Sequence, residues 1–359
     1  MNCRERFLAT INHGLPDRPP LFASLTPQVA KKLSAHLGLP YEEPLDSLLS
    51  TRISHMNLLL HLGNDAAGTA AIAPKNTPTI TNPDGTITNE YGMVFKPKGL
   101  YNEFCRFPLS QAESVDDIER YTFPDPFAEG RYDDADRKIA EYKDNYGVIG
   151  DLETSIFETS WYLTGLEKFM TDMILRPPYF NVLLDKVMNI NLEVGKELIR
   201  RGVDLLWAGD DFGAQGSMLM SPDQFREIFK PRMKYMFEEF RKVNPDIKIA
   251  WHTCGSVYPI IPDLIEIGLD ILNPIQPLAK DMEPHVLKRE FGSDLIFFGG
   301  ICVQELLPYS TPAKIKDEVK RIADILGKDG GYIIAPAHNI QDDTPVENIL
   351  AFFEGVREL

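Results

Sequence analysis

The chain has 359 residues, 43% of them hydrophobic and 25% charged, a make-up that excludes a disordered or fibrous protein and supplies enough apolar material for a large core. Its 37 basic and 53 acidic residues leave a formal net charge of −16, a field that repels phosphate backbones and anionic bilayers, so neither nucleic acid nor a membrane surface is an expected partner. No run of about 18 apolar residues is present to span a bilayer, no secretory core follows Met1, Asn2, Cys3 and Arg4, and the four cysteines are too few for a disulfide framework, so a cytoplasmic protein with reduced thiols is expected.

In chain order, residues 18–24 (RPPLFAS) and 65–73 (DAAGTAAIA) are weak strand candidates. Residues 53–62 (ISHMNLLLHL) have helical spacing, which puts His55 and His61 in packing roles. From 74 to 145 the pattern changes. Asn82-Pro83-Asp84-Gly85 is a turn, and the alternation through 86–95 (TITNEYGMVF) predicts a β-hairpin insertion, with connecting loop and helix over 102–145. Six short runs rich in Val, Ile and Leu follow, at 146–152, 203–209, 247–252, 269–275, 295–301 and 331–336. Such runs suit parallel strands buried on both faces. Helices are expected between them: Ser221-Pro222-Asp223-Gln224 and Thr311-Pro312 are helix starts, with a hydroxyl cap before a first-turn proline, and a shorter helix covers 263–267. About eight strands alternating with helices predict an α/β fold, a distorted (β/α)8 TIM-type barrel. The expected organisation is one domain over 1–359 with an insertion at about 74–145.

In such a barrel the working groups stand at the C-terminal ends of the strands. The six runs close on Asp151 and Glu153, Asp210 and Asp211, His252 and Cys254, Asn273 and Gln276, Cys302 and Gln304, and His338 and Asn339. His252 and Cys254 lie two apart, so in extended backbone they share a face. Imidazole and thiolate both favour zinc, and a catalytic zinc usually takes three protein groups. For the third, His338 comes first, Cys302 second, and Asp210 or Asp211 third. The plainer alternative is that Cys254 is a small hydrophobe and His252 a hydrogen-bonded core residue. Of the adjacent Asp210 and Asp211, at most one faces the barrel mouth. With Glu153 they are the acid–base candidates, against an alternative role as turn or helix-cap carboxylates. Asn273 and Gln276 are substrate-binding candidates. Cys3 and Cys105 have no metal-type neighbours, and no Gly-rich phosphate motif is present.

Nearly end to end, the chain resembles the uroporphyrinogen decarboxylase superfamily. The resemblance rests on Arg4-Glu5-Arg6-Phe7 with Asp17-Arg18-Pro19-Pro20, on Gly209-Asp210-Asp211-Phe212-Gly213 before Ser221-Pro222, and on His252-Thr253-Cys254-Gly255. It continues through Ile267-Gly268-Leu269-Asp270 with Asn273-Pro274, Phe298-Gly299-Gly300, and Pro336-Ala337-His338-Asn339 before Pro345-Val346-Glu347-Asn348. Three departures favour the cobamide-dependent methyltransferase branch over the true decarboxylase. Residues 23–32 (ASLTPQVAKK) hold no arginine where the decarboxylase resemblance implies a clamp for porphyrinogen carboxylates, and 66–74 (AAGTAAIAP) hold no carboxylate where it implies the pyrrole-binding aspartate. The third is that His252-x-Cys254 looks like the zinc pair of the methyltransferase branch.

In the corrinoid-dependent thiol methyltransferases of that branch the third ligand is a later cysteine. His338 stands in that place here, a departure that supports a pocket role more firmly than a metal role, because the decarboxylases also carry a histidine there. The branch implies Zn2+ as a Lewis acid, a corrinoid (cobalamin) supplied on a corrinoid-binding partner protein, and a small-molecule methyl donor or acceptor such as a methoxylated compound undergoing O-demethylation. It also implies apolar walls at the mouth, from Trp207, Phe212, Phe157, Trp161 and Trp251, and leaves room for a homodimer. The alternatives are a metal-free decarboxylase or lyase working through His338 and Asp210 or Asp211, and a non-catalytic barrel that binds a corrinoid or ligand.

Overall fold

The structure is a computed structural model that describes residues 1–45, 52–98 and 101–359. In chain order its strands are β1 (Ala66–Ala70), β2 (Ile80–Thr81), β3 (Ile87–Thr88), β4 (Val94–Lys98), β5 (Tyr101–Arg106), β6 (Gly147–Asp151), β7 (Leu205–Gly209), β8 (Lys248–His252), β9 (Ile271–Ile275), β10 (Ile296–Ile301) and β11 (Tyr332–Pro336). β1 and β6 to β11 form one parallel sheet in the order β1-β6-β7-β8-β9-β10-β11. The six runs of the C-terminal part are therefore six neighbouring strands, as expected, and the run at 65–73 is β1. Alternation along each strand divides the core into two layers. Ile149, Leu205, Ala250, Ile271, Ile296 and Ile333 cluster on one face, and Val148, Leu206, Ile249, Leu272, Phe297 and Ile334 pack with the helices on the other.

The sheet curls, and both of its edges meet residues 20–25. Phe22 N–H donates to the Ile334 carbonyl (3.1 Å) and Ile334 N–H to that of Pro20 (2.9 Å), while Asp65 N–H, just before β1, donates to Leu21 (2.8 Å). The expected strand at 18–24 is thus an irregular segment that makes only isolated parallel bridges, Leu21 to Ile334 and Leu25 to Ile340. Pro19 and Pro20 have no N–H to give a ladder, which is why the segment fills the eighth place without becoming a regular strand.

The insertion holds the expected hairpin, with Ile87 opposite Phe95 and Thr88 opposite Val94. It is larger than a hairpin, because β2 and β5 extend it to a four-stranded antiparallel sheet, β2-β3-β4-β5. β5 corrects the expectation of loop from 102 onward: its residues pair with β4 and its Phe104 packs on Phe95 and Tyr162, contacts that only the folded chain supplies. The two proline-marked helix starts fall where the sequence places them, and the short helix expected at 263–267 begins two residues earlier. Ser221 and Gln224 form a reciprocal capping box at Pro222–Ile228, Thr311 caps Pro312–Leu326, and Ile261–Glu266 is the short helix. Among the described residues no helix is long and apolar enough to cross a membrane.

Candidate metal and active site

β8 ends on His252, and the chain then leaves the sheet through Thr253 and Cys254. Thr253 points away and is fully buried, its Oγ1 accepting the Phe212 N–H at 3.1 Å. That parity turns His252 and Cys254 to the same side, with Cys254 Sγ 3.4 Å from His252 Nε2. Two residues beyond β11, His338 meets them, and the ligand atoms of His252, Cys254 and His338 all lie within 4.8 Å of one another. A tetrahedral zinc with bonds of about 2.1 Å to nitrogen and 2.3 Å to sulfur separates its N and S ligands by about 3.6 Å. The existing His252–Cys254 spacing is close to that distance. The Nδ1 atom of His338 is buried and has no hydrogen-bond partner. A polar atom in that position is costly unless something engages it, and the donor set therefore fits a metal such as zinc.

Backbone close approach makes this arrangement possible. Gly209, at the end of β7, pairs with His252, and a Cβ there would lie 2.6 Å from both the Cβ and the carbonyl oxygen of His252. Gly255 has φ +79° and turns the chain immediately after Cys254.

Burial, and secondarily the Arg52 guanidinium, push the His252 imidazole down to about 4, and burial also lowers His338. Both are thus held neutral, the form that ligates metal. Burial, followed by the nearby Asp211, raises the Cys254 thiol well above its usual range, so a cation is needed to draw off its proton.

The two neighbouring aspartates separate as the strand parity requires. Asp211 Oδ1 accepts the Cys254 N–H at 2.7 Å and lies 3.6 Å from His252 Nε2. Asp210 points the other way and is fully buried, accepting the N–H groups of Ser155, Ile156 and Glu158 at 3.3, 2.9 and 2.8 Å around the start of the helix Phe157–Thr164. Its carboxyl is pushed up to about 7 by burial, against the opposing pull of those N–H groups. Glu153 has φ 60° and lies 3.0 Å from the Nε of Arg52.

Arg52 and Glu158 are site residues that no sequence motif marks. The Arg52 guanidinium is buried, 2.9 Å from Asp151 and 4.0 Å above the Trp207 ring, with Nη1 3.3 Å from His252 Nδ1. Arg52 lies outside all six strand-like runs, and no local signal could have found it. Glu158 Oε2 accepts the Asp211 N–H at 3.0 Å and its Oε1 accepts the Tyr162 hydroxyl at 2.8 Å. Burial, then Asp211 and Asp210, hold it well above the ordinary glutamate range. Its four-residue spacing to Tyr162 on one helix was the only available hint.

A cavity of about 70 Å³ beside the cluster is lined by Arg52, Glu153, Trp207, His252, Phe298 and His338, among others. Asn273 borders it as well, but its Oδ1 lies 2.7 Å from His252 Nδ1. A second, outer cavity of about 330 Å³ shares His338 and is lined by Gln276, Cys302 and Gln304. Gln276 accepts the Gly255 N–H at 2.8 Å and donates to the Ala337 carbonyl at 3.4 Å, tying the His252–Cys254 loop to the end of the last strand. Cys302 is outside the three-residue cluster; its sulfur accepts the Glu305 N–H.

Trp207 is the one expected aromatic wall that borders the inner cavity. Phe212 does not line it: it is fully buried, stacked on Trp251 and packed at an angle against Phe157, Phe225 and Phe229, because the turn after β7 aims it into the helical layer. Trp161 packs instead on Phe104 and Tyr162, beside the insertion sheet.

The methylcobamide:CoM methyltransferase MtaA of Methanosarcina barkeri is 24% identical over 204 residues, 57% of this chain and 56% of that protein. A uroporphyrinogen decarboxylase of Hydrogenobaculum sp. (strain Y04AAS1) is 23% identical over 180 residues, 50% of this chain and 48% of that one. These matches span about half the length of each relative. The solved structure of a methyltransferase from Methanosarcina mazei covers 100% of this chain and 99% of its own, with a TM-score of 0.69 at 19% identity, and so shares the fold. The profile of the family described as uroporphyrinogen decarboxylase (URO-D) matches residues 103–359, and the chain belongs to that family.

Proposed function

We propose that this protein is a zinc-dependent methyltransferase that moves a methyl group between a small methoxylated compound and a corrinoid carried by a partner protein, with residues 1–359 working as one barrel domain. The observation that carries the reading is the convergence of His252, Cys254 and His338; the likeness to a methylcobamide:CoM methyltransferase supports the reaction class. His252 and His338 as neutral imidazoles and Cys254 as a thiolate would hold the metal and would leave a position for substrate. Bound zinc supplies Lewis acidity toward an ether or phenol oxygen, and a ligand set with a single negative charge preserves more of it than one with two thiolates.

The chain's own residues do the rest. Trp207 and Phe298 contribute apolar edges to the wall of the inner cavity, one face of the Trp207 ring being covered by Arg52. The oxygen that loses its methyl must gain a proton; Asp211 stands beside the ligands with its side chain about one-third exposed and is placed to hand on a proton drawn from solvent, while Glu158 holds the Asp211 backbone N–H. Arg52 is the only Lys or Arg among the described residues lining the inner cavity, and it is paired with Asp151 and Glu153, which favours a neutral substrate over an anionic one. A metal-free lyase working through His338 and Asp210 has less support, since Asp210 is committed to backbone N–H groups; one working through His338 and Asp211 would have to use the carboxylate that braces the Cys254 N–H.

Metal analysis of the purified protein and methyl transfer from 2-methoxyphenol to cobalt(I) cobalamin test the proposal. About one zinc per chain is expected, lost together with transfer in Cys254→Ala. Less than about 0.2 zinc per chain, unchanged by that substitution, refutes the metal. Release of carbon dioxide from an acid, with activity retained in His252→Ala, would favour the lyase.

A further inference from the structure

Two groups contend for one nitrogen of His252. Asn273 Oδ1 lies 2.7 Å from Nδ1, and Arg52 Nη1 lies 3.3 Å from the same atom. They demand opposite tautomers. The amide oxygen is an acceptor and requires the proton on Nδ1; the guanidinium is only a donor and requires a bare Nδ1, which places the proton on Nε2. Nε2 is the nitrogen that faces Cys254 Sγ at 3.4 Å. A proton there blocks the lone pair that a metal needs, whereas a proton on Nδ1 leaves it available.

The structure fixes which end of the Asn273 amide faces the ring. Asn273 Nδ2 donates to the Phe298 carbonyl on β10 at 3.3 Å. Turning the amide over would bring its oxygen against that carbonyl oxygen and lose the bond. The main chain holds the pair in register as well, with Thr253 N–H donating to the Asn273 carbonyl at 2.7 Å. Arg52 is held by different partners: its Nη2 and Nε engage Asp151 and Glu153, and its plane lies over Trp207. Of the two contacts at Nδ1, the one to Asn273 is shorter by a margin that matters for a hydrogen bond.

We infer that Asn273 is a positioning residue that selects the Nδ1–H tautomer of His252 against the opposing pull of Arg52, and so presents Nε2 as a ligand atom beside Cys254. The inference rests on the metal reading of the site, and it reassigns Asn273 from touching substrate to orienting a ligand. Second-sphere partners of this kind typically control metal affinity by 10- to 100-fold.

The test has two readouts independent of turnover. Zinc affinity is measured by chelator competition for the wild type, Asn273→Leu, Asn273→Asp and the double variant Asn273→Leu/Arg52→Gln. The leucine variant should bind zinc roughly 10- to 100-fold more weakly, the aspartate variant, which keeps an acceptor oxygen, should recover most of the loss, and the double variant should recover part of it. Nitrogen-15 NMR of the His252 ring in metal-free protein should report the Nδ1–H form in the wild type and a shift toward Nε2–H in Asn273→Leu. Wild-type zinc affinity in Asn273→Leu, or an Nε2–H ring in the metal-free wild type, overturns the inference while leaving the metal reading intact. Failure of the wild type to bind zinc refutes the metal reading itself. Should Asn273→Leu fail to fold, the wild-type tautomer decides the matter alone.

Discussion

Gly209→Ala is a test of the site that replaces none of its functional side chains. Gly209 is the residue of β7 paired with His252 on β8, and its new Cβ would stand 2.6 Å from the His252 Cβ, 2.6 Å from its carbonyl oxygen and 3.1 Å from its Cα. Two of these obstacles are backbone and the third is fixed to it, so no side-chain rotation relieves them. Restoring an ordinary contact of about 3.4 Å requires the end of β8 to move by about 0.8 Å. Overpacking of this kind costs about 1–3 kcal/mol. With an unfolding entropy of about 2 cal/mol/K per residue, that amounts to a fall in Tm of about 1–4 °C. The larger effect falls on the metal, because a shift of that size carries His252 out of register with Cys254 and His338, and zinc affinity should drop by at least about 10-fold. Calorimetry and chelator competition on the same preparation measure the two effects. Gly216→Ala is the control, since a Cβ there meets nothing within 4 Å. Zinc affinity and Tm both unchanged in Gly209→Ala would refute the claim that close approach of β7 and β8 sets the position of His252.

Two further outcomes follow from the buried charges. Arg52→Met leaves Asp151 and Glu153 without their cation in a site where the arginine side chain is only 7% exposed; it should destabilise the fold by about 3–5 kcal/mol in urea unfolding, and Asp151→Asn in the same chain should restore part of that. Asp210 has a folded-state pKa raised from 3.8 to about 7, so the native state binds its proton more tightly than the unfolded chain does. Its contribution is fully present below about pH 4 and is lost as the pH rises toward 7, by as much as about 4 kcal/mol. Asp210→Asn should therefore flatten the stability curve between pH 4 and 7, and an unchanged slope in urea titrations across that interval would count against the burial argument.

Local pattern was sufficient where the chemistry is local. Apolar runs of strand length, hydroxyl caps ahead of prolines at Ser221 and Thr311, and the turn pair beside 86–95 each depend on neighbours within a few residues, and each appears in the structure at the expected place. The pairing of His252 with Cys254 was legible for the same reason: a two-residue period determines which side chains share a face. The division between Asp210 and Asp211 was half legible. The period says that only one can face the mouth, but not which one, because that depends on the helix Phe157–Thr164 bringing N–H groups to Asp210.

The sequence by itself determined the α/β alternation, the polar residues at the strand ends and two members of the candidate metal cluster. Only the tertiary structure decided the contacts between segments far apart in the chain. It brought His338 rather than Cys302 to the His252–Cys254 pair, sent Phe212 into the core, closed the eighth place of the sheet with the irregular residues 20–25, and placed Arg52 and Asn273 on either side of one imidazole nitrogen. The physical reason is that propensity and periodicity act over a few residues, whereas the protonation and ligand capacity of His252 depend on groups 200 and 21 residues away in sequence, at distances only the closed sheet sets.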